Sequence, residues 1–413
     1  MNYSETAYNE RMEKLFAQSP SVQNAGFTTG AYKPGLEGME KFDRMLNHPW
    51  KAYRTVHVAG TNGKGSVSSM VAAGLASQGF KVGLYTSPHL LDFRERIRVV
   101  GEGMIGRKEV WEFLETFDCN GLSFFEITTG MAFWWFKKAG VDYAVIETGL
   151  GGRLDSTNII TPELSVITSI GLDHCALLGN TREKIAAEKA GIFKKNVPAL
   201  VWGHDSETDP VFISKAAEKE SPLLFADSSL ASGVVSDLRG EYQSLNIPTA
   251  LNALKLLGYP KNDSLLDALK HTSEITGLRG RWEKLCDNPE TICDIGHNPP
   301  ALKLNFSSLE KSGKELIIVY GVMADKDLES ISSLMPAKAH YILVAPETPR
   351  AMKADELYGR LSALRPDLDI ESAGSVREGI NKARKMAGPQ SLLYIGGSTF
   401  VVCEAIPLYD LDV

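Results

Sequence analysis

Short apolar runs alternate along this chain with longer stretches in which apolar residues recur every three or four positions, a succession of strands and helices. Strands are predicted over residues 53–58, 81–85, 143–147, 164–168 and 199–202, and helices over 108–117, 125–138 and 182–191. Two helices, over 5–18 and 36–46, precede the first strand, with a Gly- and Pro-containing turn at 33–35 between them. The 125–138 helix carries Phe133, Trp134, Trp135 and Phe136 in a row, a stripe expected to be core between sheet layers. Alternation of this kind predicts an α/β fold with a doubly wound sheet. After a further helix over 243–257 the chain turns polar, and Gly277-Leu278-Arg279-Gly280-Arg281 is the natural linker. Alternation then restarts, with strands near 315–320, 340–344 and 392–395 and helices near 301–311, 354–364 and 376–386. The expectation is an N-terminal domain over 1–278, a linker at 279–282 and a smaller Rossmann-like α/β domain over 283–413.

A length of 413 residues agrees with two domains. With 43% hydrophobic and 23% charged residues the composition is that of a globular protein. No apolar run approaches the ~20 residues of a membrane helix, and the N-terminus is polar, so a cytoplasmic protein without membrane partners is expected. A formal net charge of −7 argues against a nucleic-acid partner. The five cysteines are widely spaced and contain no CxxC pair, which reads as reduced thiols rather than a disulfide framework or zinc site.

The first strand breaks into GTNGKGS at residues 60–66, and Val67, Met70, Val71 and Leu75 then recur at helical spacing. Gly63 and Gly65 let the backbone curl so that its N–H groups face phosphate oxygens, the helix N-terminus favours negative charge, and Lys64 neutralises the outer phosphates. A glycine turn that binds nothing is the alternative, because the general GxxxxGK[ST] pattern fails: Val58 stands at its first position and Gly65 follows the lysine. Three more strand ends are polar. Glu147 opens ETGLGGRLDSTN at 147–158, Ser87 lies in TSPH, and His174 closes GLDH. In an open α/β sheet ligands bind beyond the carboxyl ends of strands, so a serine hydroxyl, a carboxylate and phosphate oxygens form a plausible magnesium set. Taken singly, each of these residues also reads as an ordinary turn residue.

Ordered motifs in both halves resemble the folylpolyglutamate synthase and bifunctional dihydrofolate synthase family of the Mur ligase superfamily. They are GTNGKGS at 60, TSPHL at 86, ERIRV at 95, FFE at 124, ETGLGGRLDSTN at 147, GLDH at 171, EKAGIFK at 188, YQSLN at 242, RGRWE at 279, DIGHNPPAL at 294, DKD at 325 and GGSTFVVCEAI at 396. The resemblance implies a P-loop-type ATPase domain followed by a glutamate-ligase domain. It implies that Asn62, Gly63, Lys64, Gly65 and Ser66 hold ATP phosphates and that Ser87, Glu147 and His174 ligate Mg2+. Lys189 matches a carbamylated lysine; the alternative is a solvated helix lysine. Asn246, Arg281, Asp294 and His297 match ATP contacts, although Arg279 stands where the family usually has proline. Ser123, Phe124, Phe125 and Glu126, with Leu154, Asp155 and Ser156, match a dihydropteroate pocket. Lys64, Lys189 and His174 are the expected catalytic groups. The activity implied is ATP-dependent addition of L-glutamate to dihydropteroate or folates through an acyl phosphate, by a monomer; the alternatives are a single-function polyglutamate synthase, in which Asp155 merely caps its loop, and another Mur-type amide ligase.

Overall fold

The computed structural model describes residues 3–26, 33 and 35–410, with the backbone only at 24 and 25. Position 34 of the predicted 33–35 turn lies outside them. The chain divides into two units, one of residues 1–237 and 243–278 and another of 238–242 and 279–413.

The first unit is built on eight strands: β1 (Arg54–Ala59), β2 (Val82–Tyr85), β3 (Ile97–Val99), β4 (Gly103–Met104), β5 (Tyr143–Glu147), β6 (Leu164–Ile167), β7 (Ala199–Val201) and β8 (Leu223–Phe225). Their order is β4-β3-β2-β5-β1-β6-β7-β8. Pairing is parallel except at the β2-β3-β4 edge. Strand β1 lies between β5 and β6, and its last five residues are buried. The helix Lys64–Ala76 is buried from Gly65 to Leu75 and lies against the helix Gln243–Leu256, where Gly74 leaves room for Leu254. The aromatic helix Phe124–Ala139 buries Phe133 and Phe136, and Phe136 occupies the space that a Cβ on Gly83 of β2 would need. Here the stripe is core.

The second unit has six strands: β9 (Glu283–Asp287), β10 (Glu290–Cys293), β11 (Glu315–Tyr320), β12 (Ala339–Ala345), β13 (Asp369–Ser375) and β14 (Ser391–Gly396). Their order is β13-β12-β11-β14-β10-β9, parallel except for the β9-β10 hairpin. Both units are thus doubly wound α/β layers. Among the described residues no helix is long and apolar enough to cross a membrane.

Candidate functional site

The chain leaves β1 into the 60–66 loop and is fastened there to the exit of β6. The Thr61 N–H donates to Ser169 O at 2.7 Å, Thr61 Oγ1 exchanges hydrogen bonds with Gly171, and Ser169 Oγ donates to Asn62 O at 3.1 Å. Gly60 (φ 152°) lies so close to Thr168 that a Cβ would fall 1.8 Å from its Oγ1. At Gly63 (φ 90°) a Cβ would fall 2.2 Å from Asn246 Oδ1, so this glycine is required both by conformation and by space. Asn246 Nδ2 donates to Gln243 Oε1 at 2.8 Å, and Gln243 Nε2 to Ser66 Oγ at 3.4 Å, which ties this helix to the loop. Helix Lys64–Ala76 begins without a side-chain cap, and its first turn contains Gly65 and the nearly buried Ser66. An uncapped helix start of this kind presents backbone N–H groups to an anion. Lys64 Nζ folds back onto Gly60 O and Thr61 O, both at 3.1 Å.

Lys189 ends the helix Arg182–Lys189 and is 4% exposed, donating to Gly60 O at 2.6 Å. Burial and the nearby Lys64 charge bring its pKa down to about 7, against opposing fields from Asp173 and Asp155. It is therefore not a solvated lysine but an amine held beneath the loop. Glu147, at the end of β5, is 2% exposed and accepts from the Ser87 N–H at 3.1 Å, so two of the three expected metal residues are brought together. His174 follows Asp173 in a left-handed conformation (φ 50°), its N–H bonded to Asp173 Oδ1 at 2.9 Å. Among the described residues no group of three His, Cys, Asp or Glu side chains is arranged to hold a metal alone. Any divalent ion bound here would have to complete its shell with oxygens from outside this set of side chains.

Ser123 and Glu126 form a capping box: Glu126 Oε2 accepts from the Ser123 N–H and Oγ, both at 2.7 Å, and Ser123 Oγ accepts from the Glu126 N–H at 3.3 Å. Phe124 is buried against Phe93, while Phe125 is part-exposed and lies where a Cβ on Gly149 would meet its ring at 2.6 Å. Leu154 is half-buried and Ser156 buried. Asp155 is committed within its own loop. Its Oδ1 accepts from the Thr157 N–H and Oγ1, and its Oδ2 from the Leu150 N–H at 2.8 Å; burial nevertheless raises its pKa.

In the second unit Asp294 is 3% exposed and accepts four hydrogen bonds: Gly296 N–H and Asn305 Nδ2 on Oδ1, Tyr242 hydroxyl and Trp282 N–H on Oδ2, all within 2.8 Å. His297 Nδ1 donates to Ile295 O at 3.0 Å. Arg279 is paired with Glu283 and with both oxygens of Asp410, whereas Arg281 makes one long bond, to Gly280 O at 3.4 Å.

A residue outside all the quoted roles, His57, stands in β1 with no exposure, and burial drives its pKa down to about 3. Thr157 Oγ1 donates to Asp155, so it accepts from His57 Nε2–H at 2.8 Å, which fixes the neutral tautomer and ties the central strand to the glycine-rich loop. The signal for it was a lone histidine inside an apolar strand.

The Mur ligase middle domain description matches residues 58–244, and the Mur ligase glutamate ligase domain matches 280–399. A dihydrofolate synthase/folylpolyglutamate synthase of Escherichia coli is 32% identical over 378 residues, covering 86% of each chain. The chain belongs to this Mur ligase family. A Haloferax volcanii relative, named a probable bifunctional folylpolyglutamate synthase/dihydropteroate synthase, is 30% identical over 407 residues; the match takes in 90% of this chain and 48% of that relative. Solved members of the family have the same fold. The chain superposes on an Escherichia coli FolC in complex with DHPP and ADP with a TM-score of 0.83, 28% identity and 98% of both chains covered. For a Yersinia pestis bifunctional folylpolyglutamate synthase/dihydrofolate synthase complexed with AMPPNP and Mn ion, the TM-score is 0.82 with 27% identity over 94% of this chain and 96% of that one.

Proposed function

We propose that this chain is an ATP-dependent ligase that joins the amine of L-glutamate to the carboxylate of dihydropteroate or of a reduced folate, using magnesium. The observation that carries the reading is the uncapped helix start at 60–66 with Lys64 folded over it and Lys189 buried beneath it, inside a chain of the folate-type Mur ligase family. A substrate carboxylate oxygen attacks the γ-phosphorus of ATP, ADP departs, and the amine of glutamate then attacks the acyl carbon, expelling phosphate. Lys64 leaves Gly60 O and Thr61 O for the phosphates, while the N–H groups of residues 62–66 orient them. Ser87, Glu147 and His174 would hold a divalent ion, which would supply neutralising charge to the transferring phosphoryl group.

Lys189 is proposed to be carbamylated. Its nitrogen, about half neutral near pH 7, adds to CO2 and loses a proton, which turns a buried cation into an anionic oxygen pair. Arg281 is the proposed nucleotide arginine, because Arg279 already pairs with Glu283 and Asp410. Asn246, Asp294 and His297 are each proposed as nucleotide contacts, and residues 279–282 are proposed to link domains of 1–278 and 283–413. Ser123, Phe124, Phe125, Glu126, Leu154 and Ser156 are the proposed walls of the dihydropteroate pocket.

One observation favours the narrower alternative of folate polyglutamylation alone: both Asp155 oxygens are occupied by the loop, so a pterin must compete for them. The test is product analysis by mass spectrometry with protein, ATP, magnesium and glutamate, run in parallel on dihydropteroate and on tetrahydrofolate. The bifunctional reading expects a glutamyl adduct from both. An adduct from tetrahydrofolate only leaves the narrower reading, and an adduct from neither overturns the function.

A further inference from the structure

Arg96, in the short helix Phe93–Arg96 that leads into β3, is 5% exposed, yet no carboxylate pairs with it among the described residues. The acids beside it in sequence are turned to other work. Glu95 accepts from the backbone N–H groups of Leu90, Leu91 and Asp92 at 2.8 to 2.9 Å, and Asp92 is chelated by Arg94. Arg96 itself uses neutral acceptors: Nε donates to His89 Nδ1 at 2.9 Å and Nη2 to Gln23 Oε1 at 3.1 Å. Because His89 Nδ1 accepts from Arg96, that nitrogen carries no proton, and the neutral ring cannot balance the guanidinium.

Of the five N–H donors of a guanidinium, two are thereby committed, which leaves three. A buried, permanently charged arginine with donors to spare is costly unless an anion meets it. Its surroundings indicate which anion. The guanidinium carbon lies 5.5 Å from the centre of the Phe124 ring, in the segment assigned above to the dihydropteroate pocket, and the field of Glu147 reaches the same group. Arg96 therefore lies beside a flat aromatic wall and within the field of the acid proposed for the metal.

We infer that Arg96 receives the carboxylate of the acyl substrate, holding it by charge-assisted hydrogen bonds for attack on the phosphoryl group. This rests on the ligase reading above. The same two donors that reach His89 and Gln23 fix the plane of the guanidinium, so that the remaining donors point in one direction rather than sampling many.

The test compares equilibrium binding of 7,8-dihydropteroate and its primary carboxamide, which has the same shape and no charge, to the full chain by fluorescence titration. Wild-type protein is expected to prefer the carboxylate. Arg96→Gln should lose about 10- to 100-fold in affinity for the carboxylate and almost none for the amide, abolishing the preference, while Arg96→Lys should keep part of it. A structural role alone would weaken both ligands equally. Retention of the preference in Arg96→Gln overturns the inference and leaves the ligase reading intact; failure of wild-type protein to bind either ligand overturns the inference together with the dihydropteroate half of the ligase reading. Should neither variant fold, a crystal structure of wild-type protein with dihydropteroate decides: a carboxylate within hydrogen-bond distance of Arg96 supports the inference, and one bound elsewhere overturns it.

Discussion

Two lysines meet the same carbonyl oxygen, that of Gly60, and their environments assign them different work. Lys64 reaches it from the loop itself and is part-exposed, and in the proposed mechanism its charge serves phosphate rather than the core. Lys64→Ala is expected to lower turnover by ~10² to 10³ while circular dichroism and melting temperature stay near wild type. A folded variant with wild-type turnover would remove the loop from the mechanism. Lys189 reaches the same oxygen from beneath, and its pKa of about 7 lies below the usual lysine value of 10.5. Between those values the unfolded chain binds the extra proton, so in carbonate-free buffer the cost of this residue to the fold is full below pH 7 and fades as the pH rises towards 10.5. Lys189→Met should therefore stabilise the protein most at or below pH 7 and least near pH 10. A difference in melting temperature that does not change with pH would show that the amine is not buried as described. The placement of the loop glycines and Lys64 at a helix start was legible from strand, turn and helix, whereas the burial of Lys189 was not, since a solvated helix lysine was an open reading. Nor were His57 and Arg96 legible, because their importance lies in partners far along the chain, Thr157 for one and Gln23 for the other.

At the scale of elements, the capping box at Ser123 and Glu126 and the uncapped start at Gly63 are opposite solutions to the same problem of unpaired N–H groups at a helix start. The capped helix satisfies N–H groups of its first turn with its own side chains, and the uncapped one has no side-chain cap. Gly63 is required there, since any side chain adopts an unfavourable φ and strikes Asn246. Gly63→Ala is expected to weaken nucleotide binding, read by titration with a fluorescent ADP analogue, by at least ~10-fold, with secondary structure unchanged. Wild-type affinity in that variant would contradict the fit of the loop.

Strands with strong apolar runs were readable to within a residue or two, as at β1, β5 and β6. Several of the elements missed had little pattern to offer. Strand β13 reads DIESAGS with no alternation, β8 spans three residues, and the β3-β4 and β9-β10 hairpins lie at sheet edges where one side needs no apolar face. The helix Asp263–Lys270 was lost in what looked like polar linker, although its apolar face is anchored by Leu265 and Leu269.

Over the whole molecule, the chain passes between its two units three times, because residues 238–242 belong to the second unit before the first is finished. No composition change marks that excursion. What fastens it is Tyr242, whose hydroxyl donates to Asp294 beside the Trp282 N–H, the Gly296 N–H and Asn305. Asp294→Ala would strand those donors in a buried place. We expect a loss of at least ~3 kcal/mol in the unfolding of the second unit, measured by urea denaturation followed through Trp282 fluorescence. A loss below ~1 kcal/mol would mean that the carboxylate is not the hub its contacts describe.

The central claim, that this family member activates a carboxylate as an acyl phosphate, is tested most directly by an oxygen label. With both carboxylate oxygens of tetrahydrofolate's terminal γ-carboxyl labelled with 18O and a single turnover run with ATP, magnesium and glutamate, the released inorganic phosphate is expected to carry one 18O, delivered when the attacking oxygen stays with phosphorus as the amide forms. Glutamyl product formed with unlabelled phosphate would contradict the account.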